Sequence, residues 1–363
     1  MIKSTPGLSH FLIYLLSLFV LFGCAGAPTT PQPIEAKPVF YPAEPDLPRI
    51  QYLTSFSSPL DLEGKKSKFA EFVLGEDEAE RQGLAKPYGV ASRDYKLYAV
   101  DTRGGGYAVF DLLKNKFYKV EGMNKPINIT IDDAGNKYVT DTMLDEIVIF
   151  GSNDQKIQTF SGKDEYKPSD VAIVGNKLYV TDLENHRIVV LDKATGQKIS
   201  TIGKVGSEEG ELFHPTNLAI AKNGDLLVSD TSNFRVSEFS PDGRYIRKLG
   251  EIGTSIGKFA RPKGIATDQD GRIYVVDAAF QNIQVFDSQG QLLLFFGGAG
   301  TGPGQLYLPT DISIDYTSVD FFQKFAAPGF HLEYLILVAN QFGPHKINVY
   351  GFGQMQGVNY ATD

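Results

Sequence analysis

The chain has 363 residues, a net charge of −8 and a sequence pI of about 5.3, so it is long enough to bury a large core. This charge balance argues against a general affinity for nucleic-acid phosphates and against electrostatic attraction to anionic lipid, because both depend on clustered lysine and arginine. The single cysteine leaves no pair for an internal disulfide, and we expect no nucleic-acid partner.

Residues 1–23 are predicted to be a signal peptide. Lys3 precedes the apolar run FLIYLLSLFVLFG at 11–23, which is short for a membrane-spanning helix. The next residues, Leu21-Phe22-Gly23-Cys24, resemble a bacterial lipobox, which implies that Cys24 is lipidated and begins the mature protein. In lipoproteins of Gram-negative cells, a residue other than Asp after the cysteine implies the outer membrane, and Ala25 stands here. A plain secretory signal followed by a buried cysteine is the alternative.

Residues 24–48 are predicted to be a tether between the lipid and the folded domain. Seven prolines lie among residues 25–48. Proline-rich segments favour extended polyproline geometry and do not form a packed core. We therefore expect a semi-rigid spacer that holds the domain away from the membrane.

A repeat organises the chain from residue 49 onward. A similar phrase begins with proline six times, as PYGVAS at 87, PINITI at 126, PSDVAI at 168, PTNLAI at 215, PKGIAT at 262 and PTDISI at 309. In the first five repeats, a strand ending in Asp and a second alternating strand follow each phrase, as in LYVTD and IVVLD. Four short strands in each unit of about 40–47 residues are typical of β-propeller blades. The sixth unit lacks a fourth strand, and RIQYLTSF at 49–56 has the pattern to supply it.

The repeat resembles the NHL repeat, most closely in HPTNLAIAKNGDLLVSDTSNFRVSEFSPDGRYIRKLG and YVTDLENHRIVVLDKATGQKISTIG. The resemblance covers residues 49–353 and implies an all-β, six-bladed propeller in which the N-terminal strand closes the last blade. Residues 354–363 are predicted to be a C-terminal tail. This frame hosts lyases, lactonases, RNA binders, receptor domains and scaffolds, so it does not identify a function.

The position two residues after each repeat proline is predicted to form a polar ring near the mouth of the central channel. Gly89 and Gly264 occupy it in two repeats, and the candidate ligand or ion ring comprises the other four residues, Asn128, Asp170, Asn217 and Asp311. Acids and amides together can bind a divalent ion such as Ca²⁺ or orient a small ligand. Hydrogen bonding to nearby backbone is the alternative.

The links between second and third strands are predicted to share that face. Their candidate partner-binding residues, called the rim here, are Arg103, Asn185, Asn233, Phe234, Phe280 and Phe342. We expect the phenylalanines to be exposed tips that form a partner or ligand platform. Packing of these residues onto neighbouring blades is the alternative.

The cluster of Asp230, Asn233 and Arg235 resembles a catalytic group at first sight. However, the Asp recurs at the end of the second strand in four other repeats, and the full set recurs only with Asn185 and Arg187. A catalytic cluster has no reason to appear on neighbouring blades, whereas a hairpin fastening does. We therefore predict that Asp230 and Arg235 are structural.

The sixth repeat contains an aromatic insert between its first two strands, at 316–332. Its phenylalanines are candidates for a partner-binding or membrane-touching patch, and they are Phe321, Phe322, Phe325 and Phe330. A short amphipathic helix docked on the propeller is the alternative.

The inventory of side chains favours a binding protein over an enzyme. His186, His214, His331 and His345 have no metal-ligand spacing, and no Gly-x-Ser-x-Gly motif occurs. We predict a membrane-anchored extracytoplasmic scaffold with a protein partner in the cell envelope, with no catalytic residues and no cofactor. A metal-dependent hydrolase or lyase, similar to the lactonases and using the channel mouth, is the alternative, and a small-molecule ligand stays open.

Overall fold

The computed structural model describes Met1, residues 37–63 and residues 83–360. The predicted signal peptide beyond Met1, Cys24 and tether residues 25–36 lie outside the described residues, as do 64–82 and 361–363. The chain divides into residues 1–37 and residues 38–363, and all the described strands belong to the second unit. Among the described residues, no helix has both the length and the apolar character needed to cross a membrane.

The described part of the second unit is built almost entirely from short strands. The first ten are β1 Val39–Tyr41, β2 Ile50–Phe56, β3 Pro87–Arg93, β4 Lys96–Asp101, β5 Gly106–Asp111, β6 Lys116–Glu121, β7 Pro126–Ile131, β8 Lys137–Asp141, β9 Glu146–Phe150 and β10 Lys156–Ser161. The next eight are β11 Pro168–Val174, β12 Lys177–Asp182, β13 Arg187–Asp192, β14 Lys198–Ile202, β15 Pro215–Ile220, β16 Leu226–Asp230, β17 Arg235–Phe239 and β18 Tyr245–Leu249. The last seven are β19 Pro262–Thr267, β20 Ile273–Asp277, β21 Asn282–Phe286, β22 Leu292–Gly297, β23 Pro309–Asp315, β24 Phe330–Asn340 and β25 Ile347–Met355.

These strands form six antiparallel sheets, which we number as blades 1 to 6. Blades 1 to 5 each contain four consecutive strands, beginning at β3, β7, β11, β15 and β19, and blade 6 has the order β1-β2-β25-β24-β23. Second strands such as β16 are buried along their whole length, because neighbouring blades cover both faces. Fourth strands such as β14 are mostly exposed at the outer edge. The fold is therefore the predicted six-bladed propeller.

Apolar packing closes the ring of blades. The described residues form six separate hydrophobic clusters, each between two adjacent blades, and the cluster between blades 6 and 1 includes Phe56, Phe110 and Leu337. No single blade encloses a core of its own, so each blade depends on its neighbours for burial.

The N-terminal segment pairs with the last blade. Residue Ile50 lies opposite Phe352 in the β2–β25 pairing, and β1 then adds a fifth strand along β2. The predicted boundaries need correction at both ends. Residues 39–41 belong to the sheet rather than to a tether, because β2 offers them an open edge. The tail is also held, since the Tyr360 hydroxyl donates to the Pro48 carbonyl at 2.9 Å and the Arg49 guanidinium lies over its ring.

The aromatic insert of blade 6 is largely absorbed into the fold. It contains helix α2, Val319–Phe322, and a 3₁₀ turn at Gln323–Phe325, and its end becomes the start of the eleven-residue strand β24. The other short helical elements among the described residues are α1, Leu60–Glu63, and a 3₁₀ turn at Thr231–Asn233.

Candidate functional site

The first strands of the six blades surround a central channel with two openings. We call the end at which these strands begin the proline face. It also carries the links between second and third strands and the links between blades. A cavity of about 470 Å³ on this face is lined by residues up to one position after the prolines, such as Ser169 and Lys263. A second cavity of about 260 Å³ is lined by deeper positions, from Asn128 to Ile131 in blade 2.

The polar ring lies in the channel wall at the start of the deeper cavity. Its four side chains are only 1–5% exposed, so they lie below the mouth rather than at it. The reason is a register break just after each proline, which turns this position inward. Glycine occupies the remaining two positions because space is lacking: an added Cβ at Gly264 would lie 2.5 Å from the Asp311 Cα, and one at Gly89 would lie 2.3 Å from Asn128 Oδ1.

Both ring carboxylates accept hydrogen bonds from strand backbone. Asp311 Oδ2 accepts from the Val90 N–H at 2.9 Å, which joins blade 6 to blade 1. Asp170 Oδ2 accepts from the Leu218 N–H at 2.8 Å, which joins blade 3 to blade 4, and its Oδ1 accepts from the Val171 N–H at 2.8 Å. The carboxylates therefore act as clamps between first strands.

The ring amides make fewer hydrogen bonds than the ring carboxylates. Asn128 Oδ1 accepts from the Ile129 N–H at 2.9 Å, and Asn217 Nδ2 donates to Asp311 Oδ1 at 3.3 Å. Asn217 Oδ1 is buried without a hydrogen-bond partner among the described residues. It is the one ring oxygen left for a ligand or water.

Burial makes the ring acids hard to ionise. Loss of solvation raises the pKa of Asp170 to about 7, against the opposing effect of its backbone hydrogen bonds. Burial and the nearby Asp170 carboxylate also raise the pKa of Asp311 well above its ordinary value. Two buried acids in one ring are stabilised either by a proton that they share or by a bound cation.

A calcium ion at the ring would have to share the carboxylate oxygens with existing hydrogen-bond donors. Ca²⁺ takes six to eight oxygen ligands, whereas all four carboxylate oxygens of Asp170 and Asp311 already accept a hydrogen bond. Within residues 37–63 and 83–360, no group of three or more His, Cys, Asp or Glu side chains has an arrangement for a metal ion.

The recurring aspartates fasten the proline face. Asp230 Oδ1 accepts from the Phe213 N–H at 2.7 Å, and its Oδ2 accepts from Arg235 Nε at 2.9 Å. The same position in other blades accepts from the loop before the proline, as in the bond from the Lys125 N–H to Asp141 Oδ1 at 3.1 Å. Each such aspartate therefore joins its own hairpin to the incoming inter-blade loop.

The rim residues are brought to one face but differ in availability. Arg103 and Asn185 are exposed, and Phe342 is 41% exposed. The prediction of exposed tips is wrong for Phe234 and Phe280, which are half-buried because their links fold back onto the blades. The Asn185 and Asn233 amides are already used by the fold, each donating to the aspartate of its own blade at 2.9 and 2.8 Å respectively.

The aromatic insert is not available as a four-phenylalanine patch. Phe322 and Phe330 are fully buried, with Phe322 packed on Phe56 and Phe330 on Phe40. Of the other two, Phe325 is exposed and Phe321 is half-buried, and Lys324 lies over both rings.

Two features of the proline face were missed in the sequence. Exposed apolar side chains stand on its links in blades 2 to 6, namely Met143, Leu144, Val205, Phe213, Ile252, Ile256 and Tyr307. The second feature, called the basic collar here, lines the mouth and comprises Lys125, Lys167, His214, Arg261 and Lys263. The sequence does contain a pattern that indicates the collar, because the residue before the repeat proline is basic in five of six repeats.

Comparisons with known proteins agree with the fold. The NHL repeat model matches residues 166–191. A probable peptidyl-alpha-hydroxyglycine alpha-amidating lyase of Caenorhabditis elegans is 29% identical over 102 residues, covering 27% of this chain and 29% of the relative. The chain covers 6% of two further curated relatives, so it spans less than a third of each.

Solved structures show the same architecture. A gluconolactonase of Xanthomonas campestris matches with a TM-score of 0.55 and 14% identity, over 87% of this chain and 98% of that one. A virginiamycin B lyase of Staphylococcus aureus matches with a TM-score of 0.53 and 16% identity, over 74% of this chain and 95% of that one. At such identities the likeness shows the fold alone. The chain is a six-bladed β-propeller that carries an NHL repeat.

Proposed function

We propose that this propeller is a membrane-anchored, extracytoplasmic binding module whose proline face docks a protein of the cell envelope. The observation that carries the proposal is the crowding of exposed apolar side chains on that face. Isolated exposed apolar residues are ordinary, but Met143, Ile252, Ile256 and Phe342 lie on three separate links around one mouth. Exposed apolar side chains grouped on one face are typical of protein interaction sites.

A metal-dependent hydrolase or lyase at the central channel is the second candidate function. The fold-level likeness to a gluconolactonase and a virginiamycin B lyase supports it, as do the two axial acids Asp170 and Asp311. The hydrogen bonds already made by those acids weigh against it, because a cation would have to displace or share each donor. Binding is therefore the better supported function.

Anchoring depends on Cys24 and is tested by its replacement. In a Gram-negative host, we expect the wild-type protein in the outer-membrane fraction with incorporated labelled palmitate. The Cys24→Ser variant loses the label and the membrane association, because no other cysteine is present to accept a lipid. Ala25→Asp is the matched control: it keeps the label and moves the protein to the inner membrane. Unlabelled wild-type protein in the soluble fraction would contradict the anchor.

The docking face is tested with photo-crosslinking side chains on opposite faces. A benzoylphenylalanine at Ile252 on the proline face is expected to give one discrete adduct in the native envelope. The same residue at Leu113 on the opposite face is the control, because the two positions are similarly exposed, at 63% and 66%. A second change on the proline face, Met143→Asp, should weaken the Ile252 adduct at least severalfold by placing a charge in the apolar contact. Equal adducts from both faces would reject the assignment.

A further inference from the structure

The basic collar places positive charge at one end of an acidic molecule. The chain has a net charge of −8, yet the mouth on the proline face is lined by Lys125, Lys167, Arg261 and Lys263, with His214 beside them. Fastening aspartates fix the backbone of three of these residues: the Lys125, Lys167 and Arg261 N–H groups donate to Asp141, Asp182 and Asp277 at 3.1, 3.1 and 3.2 Å. Three of the collar residues are therefore held in place through their backbone.

Most collar cations lack a partner. Among the described residues, no carboxylate forms an ion pair with Lys125, Arg261 or Lys263, and their side chains make no hydrogen bond. Lys167 has only a long contact of 3.8 Å to Asp145. Lys125 and Arg261 are exposed and Lys263 is partly buried, whereas the buried Arg235 is matched with Asp230 at 2.9 Å. In a chain with more acids than bases, unpaired cations around one cavity are conspicuous.

The surroundings of Lys263 disfavour its charge. Lys263 is partly buried beside Arg261, and both burial and that guanidinium lower the pKa of Lys263 to about 8. The Tyr88 hydroxyl, which has no hydrogen-bond partner among the described residues, lines the same cavity and adds an uncharged donor. Like charges that converge on a cavity of about 470 Å³ are stabilised by an anion placed between them.

We propose that the basic collar binds an oxyanion, the carboxylate or phosphate group of a small ligand, between Lys125, Arg261 and Lys263. The planar guanidinium of Arg261 matches two oxygens of such a group, and the two lysines supply point charges. The inference does not depend on whether the propeller is a binding module or an enzyme, because it rests on the mouth and not on the apolar links or the polar ring.

Titration calorimetry with inorganic phosphate and with citrate tests the site, against sodium chloride at the same ionic strength. We expect saturable heat from phosphate, citrate or both, and which of them binds identifies the group. Arg261→Gln and Lys263→Met should each weaken binding by about tenfold or more, because each removes a charge-assisted contact. Lys222→Gln on the opposite face, an exposed lysine that likewise forms no ion pair among the described residues, should leave it unchanged. No saturable heat from either anion, or equal weakening by all three variants, would overturn the proposal.

Thermal unfolding without added anion separates a binding role from a structural one. Lys263→Met should melt at the same temperature as the wild type or above it, because an unpaired charge next to Arg261 is removed while the apolar stem is kept. Phosphate or citrate should then raise the melting temperature of the wild type but not of the variant. A lowered melting temperature of Lys263→Met in anion-free buffer would assign Lys263 to the fold and overturn the proposal.

Discussion

Asp230→Ala is expected to lower the free energy of unfolding by about 3–5 kcal/mol, the cost typical of breaking a buried ion pair from one side. Asp230 is completely buried, and it accepts hydrogen bonds from the Phe213 N–H, from Asn233 Nδ2 and from Arg235 Nε at 2.7, 2.8 and 2.9 Å. Alanine leaves all three donors unmatched. The largest part of the cost comes from Arg235, because its guanidinium keeps its charge although the residue is only 7% exposed.

Urea unfolding measures this effect, and a double-mutant cycle identifies its cause. Asp230→Ala/Arg235→Met should cost clearly less than the sum of the two single changes, because removing the arginine relieves the unpaired charge. Asp133→Ala is the matched control, since its carboxylate is fully exposed and lies 3.6 Å from Arg93; we expect a change within about 0.5 kcal/mol. An Asp230→Ala cost no larger than that of Asp133→Ala would contradict the fastening role.

The recurrence of Asp and Arg in the repeats predicts the bond between Asp230 and Arg235, but it does not predict the other hydrogen bonds of Arg235. The spacing of Asp230 and Arg235 across one hairpin predicts their bond. The other guanidinium nitrogens of Arg235 donate to the Ser207, Glu208 and Glu211 carbonyls at 2.9, 3.0 and 2.8 Å. The path of that inter-blade loop is set by tertiary packing, and no local pattern encodes it.

The propeller itself is predictable because its signal is repeated. One strand pattern is ambiguous, but six copies at near-constant spacing indicate one architecture. The errors fall where the repeat is broken. Val39–Tyr41 lies among prolines and has the composition of a tether, yet the free edge of β2 pairs with it. Phe322 and Phe330 have the composition of a surface patch, yet neighbouring aromatic side chains enclose them.

The depth of the polar ring and the basic collar were missed for a related reason. Alternation along a regular strand places the second position after the proline near the mouth, but the register break at the start of each first strand moves it inward. The collar residues Lys125 and Arg261 stand before the proline, in loops where strand periodicity carries no information. Only an alignment of the repeats one residue further upstream shows that basic residues recur there.

The wild-type protein is expected to lose stability as the pH rises from about 4 to about 7 in metal-free buffer. Burial raises the pKa of Asp170 to about 7, and burial together with the Asp170 carboxylate raises that of Asp311 well above its ordinary value. In this window the folded state keeps protons that the unfolded chain has already released, so the stability that they contribute is present at low pH and is lost as the pH rises. For Asp170 the loss is on the order of 4 kcal/mol.

Asp170→Asn is expected to flatten this pH dependence. It removes the titration of residue 170, and it also removes the negative charge that helps to raise the pKa of Asp311. The amide oxygen of asparagine can still accept the Leu218 N–H, so the fold is retained. Urea unfolding of both proteins at pH 4.5 and pH 7.5 measures the difference, and Asp225→Asn, in a turn on the opposite face, serves as the control. An equal slope in wild type and Asp170→Asn would show that the ring acids do not titrate in this range.

Titration with calcium complements the pH experiment. It bears on the choice between a binding function and a catalytic function. Because the four carboxylate oxygens of Asp170 and Asp311 already accept hydrogen bonds, we expect titration of the wild type with Ca²⁺ at pH 7.5 to give no saturable heat. A cation that did bind would release the protons held by the ring, so it would bind more tightly as the pH rises and would reverse the loss of stability near neutral pH. Saturable Ca²⁺ binding that is lost in both Asp170→Asn and Asp311→Asn would make the axis a metal site, and the hydrolase or lyase function would then be the better supported one.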